Sequence, residues 1–195
     1  MKNLRSFAVA ALALLPGLAL AHIGVDAGSH HGSAFMIGLV HPFTGMDHMA
    51  AMLAVGVWSV LVTRQVWVMP VAFAGLLLVG GLIGFSGAAV PMVEPMIAAS
   101  LLVLGLLIGA RVRLPLLMGA VLVGLFAVFH GVAHGSELPA AQAVAALSGM
   151  VLGTLALHLS GMVLGVLFKQ RSAWYSRVLG GGIALMGAGF LVSAL

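Results

Sequence analysis

The chain has 195 residues, of which 63% are hydrophobic and only 6% charged. A water-soluble domain carries roughly 25% charged residues, so this composition cannot cover an aqueous surface and implies residence in a membrane. The net charge of +4 comes from eight Lys/Arg against four Asp/Glu. Because the basic residues stand singly or in pairs between apolar runs, with no basic patch, nucleic-acid binding is excluded. Cysteine is absent, which removes disulfides, thiolate metal sites and cysteine nucleophiles together. Eight His, four acids and a few Ser, Thr and Gln remain to carry chemistry.

In chain order, residues 1–21 read as a cleavable signal peptide. Lys2 and Arg5 form a positive start, Phe7 to Leu20 an apolar stretch, and Ala19-Leu20-Ala21 a small-residue cleavage pattern. Cleavage makes His22 the first mature residue; a retained first helix is the alternative. The signal peptide points to a bacterial chain whose mature N-terminus begins outside the cytoplasm.

A span needs about 20 apolar residues, and residues 22–195 offer six. They run over 34–62, 66–86, 92–110, 114–134, 139–168 and 174–194, separated by short polar breaks. The expected fold is therefore an all-α polytopic membrane helix bundle of one domain, the first helix broken near His41-Pro42. No GxxxxGK[ST] phosphate loop occurs, so ATP hydrolysis is not expected of this chain, and no ATPase partner is evident. With the N-terminus outside, Arg64, Arg111, Arg113, Lys169, Arg171 and Arg177 all fall on the cytoplasmic side, as the positive-inside rule requires. That orientation puts the chain in the bacterial inner membrane with both mature termini periplasmic.

The opposite face holds the other polar residues. Asp26, Asp47, Glu94, Glu137 and every histidine except His158 fall in the outer tail, outer loops or outer ends of spans. Ionisable groups at membrane depth are expensive and usually face a bundle interior for a purpose. A one-sided gathering of imidazole and carboxylate is the pattern of a cation entrance.

Two strings carry it. In the first, His41-Pro-Phe-Thr-Gly-Met-Asp47-His48, the histidines share a face if the helix is continuous. Pro42 and Gly45 are expected to break it, freeing carbonyls of the kind that discontinuous transporter helices turn toward cations. Asp47 can ligate directly or hold an imidazole tautomer. In the second, Phe129-His130-Gly-Val-Ala-His134-Gly-Ser-Glu137, three candidate ligands stand at i, i+4 and i+7 on one face. Glu137 could instead serve the start of the next helix. It is not the HExxH of metalloproteases, since Gly131 stands where the general base would be.

His158 lies deeper, as a relay ligand or as a helix-to-helix hydrogen bond. His22, His30 and His31 decorate the outer tail; a free His22 amine with its imidazole makes a respectable Ni(II) or Cu(II) chelate, and a tail with incidental histidines is the alternative. Imidazole with carboxylate suits Ni, Co, Zn or Cu(II) and does not select among them. Glycine pairs four apart, at 80/84, 105/109, 149/153 and 161/165, allow close helix approach. Ser-Gly-Met-Val-Leu-Gly occurs at 148–153 and again at 160–165.

On the two strings and the expected spans, the chain resembles the HupE/UreJ family of nickel/cobalt permeases over nearly its whole length. The resemblance implies secondary uptake of Ni(II) or Co(II), as substrate and with no prosthetic group, for urease, hydrogenase or cobalamin assembly. By position it implies metal handling by His41, Asp47, His48, His130, His134 and Glu137, with His22 and His158 weaker candidates. The expected partners are a divalent metal ion and the bilayer; a homo-oligomer stays open. The alternatives are a membrane-embedded metal-dependent hydrolase using the same ligands, and a haem held between facing histidines such as His48 and His130.

Overall fold

A computed structural model describes residues 33–194. The expected signal peptide, with His22, Asp26, His30 and His31, lies outside the described residues. Those described form seven α-helices and two short 3₁₀ turns, with no strand among them. The helices are α1 (Ala34–Val40), α2 (Met46–Val62), α3 (Val68–Phe85), α4 (Val93–Gly109), α5 (Leu116–Glu137), α6 (Ala143–Lys169) and α7 (Ala173–Ala194).

α1 and α2 are the two arms of one broken helix. Pro42 has no N–H to continue the ladder and its ring crowds the preceding turn, so the chain tightens into a 3₁₀ turn at His41–Phe43. Gly45, in an extended conformation, then caps a fresh start at Met46. The arms are bent by 76°. α3, α5, α6 with its preceding 3₁₀ turn, and α7 are each long and apolar enough to cross a bilayer, and the bent pair, counted as one span, is a fifth. α4, over the third expected span, is apolar but only 17 residues long.

Small residues set the packing, because lipid tails give apolar helices no hydrophobic reason to associate. α3 meets α5 where Gly80 and Gly84 abut the backbone of Val128, Gly131, Val132 and Gly135. α4 meets α7 through Gly105, Gly180 and Gly187. α6 takes both arms of the broken helix, and the repeated hexapeptide explains how. Gly149 and Gly153, in the first copy, lie against Phe35 and Leu39 of α1. Gly161 and Gly165, in the second, lie against Leu53 and Val57 of α2. Twelve residues rotate the copies by about 120° around the helix, so each arm has its own small-residue seat.

The outward faces are apolar, as hydrocarbon contact requires: Val144, Leu185 and Val192 are 82%, 76% and 78% exposed. The interior is built on Trp58, Phe73, Met52, Met69, Leu77 and Ile97. The carboxyl ends of α2, α4 and α6 converge. Trp58 Nε1 donates to Val112 O (3.0 Å), Lys169 Nζ to Val60 O (3.3 Å), and Arg111 to Ser176 Oγ (2.8 Å) and Phe168 O (3.2 Å). Arg111 adopts a left-handed backbone, φ 50°, a conformation that favours glycine; its two side-chain bonds hold it there. Five of the six basic residues beyond the signal segment flank or join this end, and the sixth, Arg64, follows α2 directly.

Candidate metal site

The other end of the bundle is histidine-rich. The elbow between α1 and α2 presents His41 and His48 to the last two turns of α5, which carry His130, His134 and Glu137. α5 runs three residues past the expected boundary at 134, so Glu137 closes that helix and does not cap α6. Its Oε2 accepts from His41 Nε2 at 3.0 Å. One step inward, Asp47 Oδ1 accepts from both the backbone N–H and ring Nδ1 of His48, each at 2.8 Å.

The rings form a connected series. His41 and His134 have centroids 4.7 Å apart, His48 and His134 4.3 Å, and His48 and His130 5.0 Å. With a metal–nitrogen bond of about 2.1 Å, two imidazoles sharing one ion at 90° to tetrahedral angles have centroids roughly 4.5–5.2 Å apart. These rings already stand near that spacing. Donor atoms of His41, His134 and Glu137 lie within 4.8 Å of one another. Exposure falls from the Glu137 end of the cluster to the His130 end. The Glu137 side chain is 59% exposed, His41 20% and His48 12%, while His134 and His130 are buried.

Hydrogen bonding leaves metal-binding lone pairs free. His130 Nδ1 donates to Phe126 O at 2.9 Å and His48 Nδ1 to Asp47, so Nε2 of each is the unprotonated nitrogen when the ring is neutral. Among the described residues, His48 Nε2, His130 Nε2 and both ring nitrogens of His134 are buried without a hydrogen-bond partner. The buried serines differ: Ser59, Ser100 and Ser176 all bond carbonyls of their own helices. A buried unpaired polar group costs roughly 1–3 kcal/mol. Four such nitrogens on three neutral imidazoles offer three lone pairs in one place, beside two carboxylates, and fit a divalent ion that accepts them.

Gly45 matters here for its size. A Cβ at this position would sit 2.9 Å from Asp47 Oδ1 and 3.1 Å from His48 Nδ1, against the bond that orients His48. Asp47 also borders a cleft of about 290 Å³, whose walls include Glu94, Ile97, Phe190 and Ser193. The carboxylate is therefore reachable from the side as well as through the elbow.

The whole chain supports the same comparison as the site. Residues 10–190 match the HupE / UreJ protein family. The chain belongs to the HupE/UreJ family. A curated relative, "Protein HupE" of Rhizobium leguminosarum bv. viciae, is 43% identical over 187 residues, covering 94% of this chain and 95% of the relative. No solved structure matches it.

Within this HupE/UreJ chain, the structure brings together all six principal candidates, His41, Asp47, His48, His130, His134 and Glu137. His158 lies deeper on α6, and Phe73 packs against it and against His130: the Phe73 ring lies 5.5 Å from His130 and 5.1 Å from His158. Sequence reasoning missed Phe73, because one aromatic in an apolar run looks like any core residue. It also missed Thr154, buried and unpaired, although its position four residues before His158 was visible.

Proposed function

We propose that this protein is a secondary permease that carries divalent nickel or cobalt inward across the bacterial inner membrane through six spans, with both mature termini periplasmic. The observation that carries this reading is the set of unpaired imidazole nitrogens converging between the elbow and α5, graded from exposed Glu137 to buried His130. Membership of the HupE/UreJ family and the gathering of basic residues at the opposite end of the bundle support it.

The cation first meets Glu137 and His41, where a carboxylate offsets the hydration it gives up with its water shell. His134, whose ring lies beside those of both His41 and His48, is the natural bridge from one to the other. His48 and His130 then bind it with two fixed lone pairs. A dication moving inward gains about 2.3 kcal/mol per charge per 100 mV of membrane potential, so no nucleotide chemistry is required.

Transport suits the site better than hydrolysis, because Asp47 and Glu137 are each engaged with a histidine and neither is poised as a free base. Haem suits it less still: His48 and His130 meet edge to face at 5.0 Å, leaving no slab for a macrocycle. The test is whole-cell uptake of labelled nickel and cobalt, each competed by the other, with an uncoupler arm. Wild-type protein is expected to accumulate at least one ion, and collapse of the potential to slow it. Accumulation no greater than in cells lacking the protein contradicts the reading.

A further inference from the structure

Below the histidine series, two more polar atoms are buried without partners. They are Thr154 Oγ1 and His158 Nε2, and both residues are fully buried. They stand at i and i+4 on α6, so they share one face. They also lie between the two hexapeptide seats, opposite the region where the first helix is broken. Gly153, beside Thr154, approaches Leu39 and Pro42, while the backbone of His158 abuts Gly56 of α2.

His158 is held as the outer histidines are. Its Nδ1 donates to Met52 O at 2.8 Å, which fixes the neutral tautomer with the lone pair on Nε2. Met52 follows His48 by four residues on α2, so this imidazole sits about one helical turn, roughly 5–6 Å, further into the bundle. Thr154 is anomalous in its own right. A helical threonine commonly returns its hydroxyl to the carbonyl three or four residues back, and the buried serines among the described residues all do so. Thr154 Oγ1 makes no such bond among the described residues.

From this arrangement we infer that His158 Nε2 and Thr154 Oγ1 form a second, inner station for a divalent transition-metal cation, about one helical turn inward of the His48–His130 pair. The inference rests on the transport reading above and adds the step after the entrance. The donor set explains the order of the stations. Imidazole nitrogen suits nickel, cobalt and similar ions, but only two protein donors stand here, against several imidazoles and two carboxylates outside. Conduction requires sites weak enough to release the ion onward, and an inner station poorer in donors and without a carboxylate meets that requirement. Phe73 packs its ring against one imidazole of each station, His130 and His158, so the two stations share a wall.

Thr154→Val and His158→Gln separate this role from a structural one. Valine keeps the shape of threonine and sacrifices no hydrogen bond, because the hydroxyl makes none. Glutamine keeps an N–H to donate to Met52 O but loses the imidazole lone pair. Each variant, with His48→Ala as the outer-site control, is assayed for labelled nickel uptake at matched membrane abundance. Purified protein is titrated with Co(II) and followed by visible absorption. Nickel uptake is expected to fall at least tenfold in His158→Gln and several-fold in Thr154→Val. The wild type is expected to bind two Co(II) per chain and His158→Gln one. Wild-type uptake in either variant, or unchanged Co(II) stoichiometry in His158→Gln, overturns the inner station. If His158→Gln fails to insert, Thr154→Val decides alone on uptake. Loss of uptake in His48→Ala beside normal uptake in the inner variants leaves the transport reading standing without this step. Normal uptake in His48→Ala strikes at the outer site itself.

Discussion

A neutral imidazole has one lone pair, and its location is decided by what the other nitrogen donates to. In His48, His130 and His158 the decision is the same: Nδ1 donates to an oxygen and Nε2 is left bare. Only for His48 is that oxygen a carboxylate, so Asp47 both orients the ring and adds negative charge beside its ligating nitrogen. Outer partners of this kind typically contribute 10- to 100-fold in metal affinity. Asp47→Ala is therefore expected to weaken Co(II) binding by about that factor while leaving the helices intact, as measured by titration and circular dichroism; unchanged affinity would remove Asp47 from the site. At this scale the sequence was partly legible. The spacing of His130, His134 and Glu137 places them on one face without any structure. That Glu137 meets His41 was not legible, since the contact joins residues 96 apart across an elbow whose angle no local rule sets.

The elements are held by small residues meeting backbone. A side chain on Gly80 would run into Val128 O, a backbone atom that cannot rotate away, whereas Gly75, five residues earlier on α3, has nothing within 4 Å. Gly80→Leu is accordingly expected to destabilise the α3–α5 pair by about 1–3 kcal/mol and to lower membrane abundance. Gly75→Leu should leave abundance near wild type; equal effects at both positions would mean that the close approach is not what holds the pair. The glycine spacing announced packing surfaces, and the surfaces are there, but not which helices they join. The hexapeptide repeat is the clearest case. Its two copies are unmistakable in the sequence, yet their meaning depends on the bend at Pro42, which turns one expected span into two arms needing two seats.

At the scale of the molecule, the described residues separate by sign and chemistry. Cations knit the carboxyl ends of α2, α4 and α6, and imidazoles with carboxylates occupy the other end. If the basic end faces the cytoplasm, the acidic and imidazole end faces outward, where a scarce cation is captured. The absence of cysteine makes this directly testable. Ser86→Cys, after α3, is expected to react with an impermeant maleimide in intact cells, and Gln65→Cys, after α2, only once the membrane is opened; the reverse pattern would invert the proposed direction of transport. Hydropathy made the apolar helices legible, though α4 is shorter than a comfortable span and the N-terminal segment lies outside the described residues.

The central claim is that the imidazoles at the elbow handle the transported ion, and His134 tests it most directly. It stands between His41 and His48, and neither of its nitrogens has a hydrogen-bond partner among the described residues. Removing it therefore sacrifices no hydrogen bond of the fold. Labelled nickel and cobalt uptake should be measured in cells carrying His134→Ala at wild-type membrane abundance. The account predicts loss of most of the uptake, tenfold or more, with the protein still inserted and folded. Uptake of both ions at the wild-type rate would contradict it.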